Sequence, residues 1–120
     1  MEDSLQLKLE ILAEQGIALI RCRGQLKFGK ECHLLKKCVD GVLSQFSICV
    51  LSLSSVQQID AHGLGTLVAC VEKARSWGCL LLIGGASEKV RDLFRITRLN
   101  TVLEIYSSEF EAMEACGQAA

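Results

Sequence analysis

The chain has 120 residues, half of them hydrophobic, with 13 basic and 14 acidic side chains and a formal net charge of −1. That length accommodates one domain, residues 1–120, and buries enough surface to fold without a disulfide or a metal. The balanced charge excludes the basic footprint of a nucleic-acid binder, and the apolar content excludes a disordered chain.

Leu5–Ala13 alternates apolar Leu5, Leu7, Leu9 and Ile11 with polar partners, the period of a half-buried strand. Glu14-Gln15-Gly16 reads as a turn, and residues 17–23 ("IALIRCR") as a second strand paired with the first in a hairpin. Between Lys30 and Leu43 the period changes. Leu35, Cys38, Val39 and Val42 fall on one face of a helix, with Lys36, Lys37 and Asp40 on the other. Ile48–Leu53 is a short apolar run of the kind buried in a sheet.

Asp60 then stands as an N-cap. The helix behind it turns Leu64, Leu67, Val68 and Val71 inward and Glu72, Lys73 and Arg75 outward, and Gly78 ends it. "CLLLIG" (79–84) is another buried strand, and Ser87 caps a helix carrying Val90, Leu93, Phe94 and Thr97 on one face. A short strand at Val102–Ile105 follows, and Ser108 with Glu111 reads as a capping box for a terminal helix. Strands alternating with helices imply an α/β layer structure, and the opening hairpin makes its sheet mixed.

Seven cysteines, irregularly spaced and without a CxxC pair, argue against a zinc ribbon or a thioredoxin site. Reduced thiols in apolar runs point to the cytoplasm. No apolar run approaches the roughly 20 residues of a membrane span. The acidic start "MEDSLQLKLE" lacks the basic opening and apolar centre of a secretion signal.

Catalytic signals are weak. Gly63-Leu64-Gly65 opens like a dinucleotide fingerprint, but Val68 stands where its third glycine belongs, and "GGAS" (84–87) carries no phosphate-loop lysine. His33 and His62 are far apart in sequence, and no spacing asks for a metal or a cofactor. At the start of its helix, His62 feels the helix dipole, which disfavours its charged form by about 0.3–1 kcal/mol. The Asp60 carboxylate pulls the other way.

The stretch from "ICVLSL" through "QQIDAHGLGTLVACVEKARSWG" and "CLLLIGGASEKVRDLFRITRLN" to "TVLEI" resembles the STAS domains of bacterial anti-sigma factor antagonists. The likeness lies in a strand, a D-x-x-G-L-G turn and helix, a strand ending in glycine, then S-x-x-V-x-x-L-F-x-x-T-x-L. "IRCRGQL" supplies a second strand leading into a G-x-L element. The resemblance implies an α/β domain with a mixed four- to five-stranded sheet packed by about four helices. It also implies a non-enzymatic regulatory module whose partner is a protein, an anti-sigma factor or a serine kinase-like regulator. The family's turn reads Asp-Ser-Ser-Gly, with the second serine phosphorylated to release the partner. Such a phosphate sets about −1.5 to −2 charges inside the contact surface.

Three departures stand out. Ala61 and His62 occupy the two serine positions, Lys27 replaces an aspartate common after G-x-L, and Arg98 replaces a glycine. His62 therefore holds the phosphoacceptor-equivalent position without a hydroxyl. The implied contact surface comprises Asp60, Ala61, His62, Gly63 and Thr66, flanked by Ser54, Ser55 and Lys27. A second use of such domains, an accessory subunit of a lipid-transporting ABC system, requires no phosphorylation. Phosphoryl transfer to His62 itself is a third reading, with no recruiting site visible in the sequence.

Overall fold

The computed structural model describes residues 5–119, with side chains as far as Gly117; Met1–Ser4, which open the acidic start, and Ala120 lie outside the described residues. Five strands and four helices follow in the order β1 (Leu7–Glu14), β2 (Ile17–Leu26), α1 (Lys30–Leu43), β3 (Ile48–Ile59), α2 (Ala61–Ser76), β4 (Leu80–Gly84), α3 (Glu88–Ile96), β5 (Ile105–Tyr106) and α4 (Glu109–Ala119). The strands lie side by side in the order β1-β2-β3-β4-β5. β1 runs antiparallel to β2, and the remaining pairs are parallel, so the sheet is mixed as the hairpin requires.

The hairpin is tight because Gln15 and Gly16 both take positive φ (55° and 80°), the two-residue turn whose twist matches that of the strands. In β3, Cys49, Val50, Leu51 and Leu53 are each fully buried, because helices cover both faces of the sheet there. On one face Ile20, Leu51 and Ile83 pack with Leu35 and Val39 of α1, Leu67 of α2 and Phe94 of α3. On the other, Ile17, Leu19, Val50 and Leu82 meet Ala112 and Cys116 of α4. Fully burying a side chain of this size contributes roughly 1.5–3 kcal/mol.

All seven cysteines are free, and Cys22, Cys49, Cys70 and Cys116 are buried. Burial pushes the Cys22 and Cys70 thiols up to about 12, so both act as packing groups and not as nucleophiles. α2 ends at Trp77 and Gly78 (φ 74°), where the Cys79 N–H donates to the Ala74 carbonyl at 2.7 Å. Asp40 and Lys73, both expected to face outward, pair across α1 and α2 at 3.1 Å, with each side chain still about two-fifths exposed.

Several boundaries differ from the sequence reading, each for a tertiary reason. β1 begins at Leu7, and Ile11 is 53% exposed because β1 is an edge strand reaching past the helical layer. β2 continues to Leu26 and β3 to Ile59, since Gly24 goes on pairing with Val56 after one irregularity in the ladder and Leu26 with Ile59 after a second. Leu99–Thr101 forms a 3₁₀ turn, which displaces the last strand to Ile105–Tyr106. Val68, Cys38 and Leu93 are half-buried, and Thr97 turns its hydroxyl back to the Leu93 carbonyl at 2.6 Å. At α4, Ser108 Oγ accepts from the Glu111 N–H at 3.0 Å, but the Glu111 carboxylate takes the Ser107 hydroxyl instead of closing a capping box.

Arg98 sits in the left-handed region (φ 61°, ψ 18°), where glycine is free of the steric cost borne by a Cβ. Its side chain is exposed. Arg98→Gly is expected to raise stability by up to about 1 kcal/mol, read as a higher urea midpoint at unchanged slope.

Candidate functional site

The long strands β2 and β3 end together, and the chain between Leu26 and Lys30 meets the start of α2. Asp60 joins the two. Its backbone is extended (φ −100°, ψ −176°), Oδ1 accepts from the Gly63 N–H at 2.8 Å, and Oδ2 accepts from the Phe28 N–H at 2.9 Å. Its own N–H donates to the Leu26 carbonyl at 3.3 Å. One side chain thus caps α2 and fastens the 27–29 loop to it.

Partial burial alone would raise the Asp60 carboxyl. The Phe28 and Gly63 N–H groups and the neighbouring His62 outweigh it, so the net shift is below the ordinary carboxylate range. Asp60 is a structural carboxylate, with both oxygens occupied.

Gly63 is required by contact. A Cβ there would lie 2.2 Å from the Leu26 carbonyl oxygen and 2.8 Å from Ile59 Cγ2. The close approach of α2 to β2 brings Ala61 and His62 out to the surface, where both are exposed. Phe28 leans on His62, with ring centroids 4.4 Å apart and planes tilted by 57°, while remaining 70% exposed itself. Thr66 is buried, and its hydroxyl donates to the His62 carbonyl at 2.9 Å. A groove of about 470 Å³ runs between the starts of α1 and α2, lined by Phe28, Cys32, His33, Lys36, His62 and Thr66 among others.

The structure therefore brings together Asp60, Ala61, His62, Gly63 and Thr66, with Lys27 half-buried beside Phe28. It does not bring Ser54 and Ser55 into that groove. Those two line a separate depression of about 560 Å³ with Lys8, Arg21, Arg23 and Ser52. Ser54 Oγ lies 3.3 Å from Ser52 Oγ, and a Cβ on Gly85 would stand only 2.1 Å from it. In the same depression Arg21 pairs with Glu109 at 2.9 Å.

Phe28 was not among the residues singled out from sequence. Its signal was present but weak: a lone aromatic after G-x-L, with nothing to show that its N–H would seek an aspartate 32 positions on. His33, exposed on α1 and remote in sequence, shares the groove with His62. Among the described residues no three His, Cys, Asp or Glu side chains converge in a way that could hold a metal ion. No helix among them is long and apolar enough to cross a membrane.

Comparison with known proteins agrees with this fold. The STAS domain family matches residues 8–112. A Thermotoga maritima protein named "Putative anti-sigma factor antagonist" is 33% identical over 87 residues, covering 71% of this chain and 77% of that relative. The crystal structure of an anti-sigma factor antagonist from Mycobacterium paratuberculosis superposes with a TM-score of 0.78 at 18% identity, over 91% of this chain and 92% of that one. A sulfate transporter family protein from Wolinella succinogenes gives 0.73 at 19% identity, over 89% of each chain. At those two identities the likeness is one of fold. The D-x-x-G-L-G turn, the five-stranded mixed sheet with four helices and the match along residues 8–112 place the chain in the STAS domain family.

Proposed function

We propose that this STAS domain is a regulatory binding module of the anti-sigma factor antagonist type, one that engages its partner without a phosphorylatable serine at the start of α2. The observation that carries the reading is the chemistry presented there: Ala61 and His62 are exposed and the Phe28 ring stands beside them. The nearby hydroxyl, on Thr66, is buried and committed to the His62 carbonyl. Ser54 and Ser55 line the other depression. The contact surface centres on exposed Ala61, His62 and Phe28 with half-buried Lys27 beside them, while Asp60, buried Gly63 and buried Thr66 hold it in shape.

Recognition in this reading rests on an exposed aromatic pair over an apolar groove. Aromatic side chains present large contact area at low entropic cost, which is why they concentrate in the energetic centre of interfaces. The partner is an anti-sigma factor or a serine kinase-like regulator, and the module turns over no substrate.

The test is capture of partners from the native cell by the tagged chain, followed by binding measurements on the recovered protein. An anti-sigma factor or kinase-like regulator is the expected catch. His62→Asp, which sets a negative charge where the helix start tolerates one, is expected to weaken binding about tenfold or more; Phe28→Ala should do likewise. Incubation with that kinase and ATP is expected to leave the mass of the chain unchanged. Recovery of an ATPase with its permease would replace this reading with the transporter-linked one. A phosphoryl adduct on His62, lost in acid, would overturn the claim that the switch is absent.

A further inference from the structure

β1 forms one edge of the sheet, and among the described residues β2 is its only strand partner. The ladder between them runs from Leu7 to Glu14 without a register shift, and the chain has no proline to interrupt it. Such an edge presents a row of open backbone donors and acceptors. The Gln25 N–H donates to the Gln6 carbonyl at 2.8 Å, which fixes the phase of that row. By alternation Lys8, Glu10, Leu12 and Glu14 turn their backbone groups toward β2, while Leu7, Leu9, Ile11 and Ala13 turn theirs outward. Ile11 is also the large apolar side chain left open here, at 53% exposure.

We propose that β1 pairs antiparallel with β1 of a second copy of this chain, in the register that sets Ile11 opposite Ile11. Backbone phase requires outward-turned residues to face one another, so the register moves only in steps of two residues. One step in one direction sets Glu10 against Glu10, and one step in the other sets Glu10 against Glu14 on both sides of the axis. Like charges directly opposed are destabilising. A longer slide sets Lys8 against Glu10 but pairs only Leu7–Ile11 of the strand.

The Ile11 register pairs the strand from Lys8 to Glu14. It sets Lys8 against Glu14 twice and stacks Leu9 on Ala13 beside the central isoleucines. Lys8 and Glu14 then fall in non-hydrogen-bonded pairs, where facing side chains lie closest. Lys8 stands opposite Arg23 in β2, so the incoming carboxylate also relieves a pair of like charges. The two sheets join into one that continues across the axis.

Sedimentation and light scattering of the full chain from micromolar to millimolar concentration test this independently of any regulatory partner. A reversible dimer is expected. Lys8→Glu should raise its dissociation constant about tenfold, and Lys8→Glu combined with Glu14→Lys should restore it. Ile11→Lys should leave a monomer. Lys8→Glu sets an acid beside Arg23 and Ile11 is exposed, so each variant is expected to keep native amide dispersion in NMR spectra. A chain that stays monomeric throughout overturns the proposal. So does a dimer that survives Ile11→Lys or ignores Lys8→Glu, and failure of the double variant to restore it refutes the register.

Discussion

Gly63→Ala is expected to destabilise the fold by about 2–3 kcal/mol, while Gly65→Ala, in the same turn of α2, is expected to stabilise it by up to about 1 kcal/mol. The substitution is identical and the surroundings are opposite. A Cβ at Gly63 would meet the Leu26 carbonyl oxygen at 2.2 Å, the Leu26 carbonyl carbon at 3.1 Å and Ile59 Cγ2 at 2.8 Å. Two of those atoms are backbone of β2, which its pairing with β3 holds in place. α2 must therefore retreat. That loosens Leu64 and Leu67 in the core and stretches the 2.8 Å bond from the Gly63 N–H to Asp60.

At Gly65 a Cβ would meet nothing within 4 Å, so alanine there gains helix propensity at no steric cost. Urea unfolding of both variants, compared at equal slope, checks the contrast. Shifts of the same sign would refute it.

Asp60→Ala is expected to cost about 2 kcal/mol. The lost N-cap supplies about 1 kcal/mol, and releasing the Phe28 N–H supplies a comparable amount. Asp60→Asn separates the two contributions. Its amide oxygen can serve either the Gly63 N–H or the Phe28 N–H but not both, so roughly half of the loss is expected.

The pH dependence has a definite sign. The Asp60 carboxyl is held below its ordinary value in the folded chain, so in the acid range the unfolded chain binds the extra proton. Its stabilisation is complete above the unfolded pKa and disappears as pH falls below roughly 4 through the folded one. The gap in stability between the native chain and Asp60→Asn should accordingly narrow on acidification, as measured by urea unfolding at several pH values. A gap that widens would overturn the assignment.

The elements of this fold were largely legible because each depends on short-range chemistry. Leu35, Val39 and Val42 recur at helical spacing and are buried together in α1. Ser87 stands before α3 and accepts from the Val90 N–H at 3.3 Å. Asp60 was readable as an N-cap for the same reason. Its second role was not, because the Phe28 N–H arrives from 32 residues away only once β2 and β3 have paired. The ends of those strands were misjudged on similar grounds. The apolar run ends at Leu53, yet the backbone of Ser54, Ser55, Gln57 and Gln58 continues the strand while their side chains stay exposed.

For the site, the turn was visible in Asp60, Ala61, His62 and Gly63. The company they keep was not. Ser54 and Ser55 are close to Asp60 in sequence but lie in another depression, whereas Phe28 and His33 are remote and share the groove. Sequence by itself determined the alternation of strands and helices, the Asp60 and Ser87 caps, and the Ala61-His62 pair ahead of Gly63, since these follow from periodicity and from single residues. Tertiary structure alone decided which exposed groups stand together, because the pairing of β2 with β3 and the seating of Gly63 on the Leu26 carbonyl bring Phe28 against His62. Those are contacts between distant segments, and no local pattern encodes their geometry.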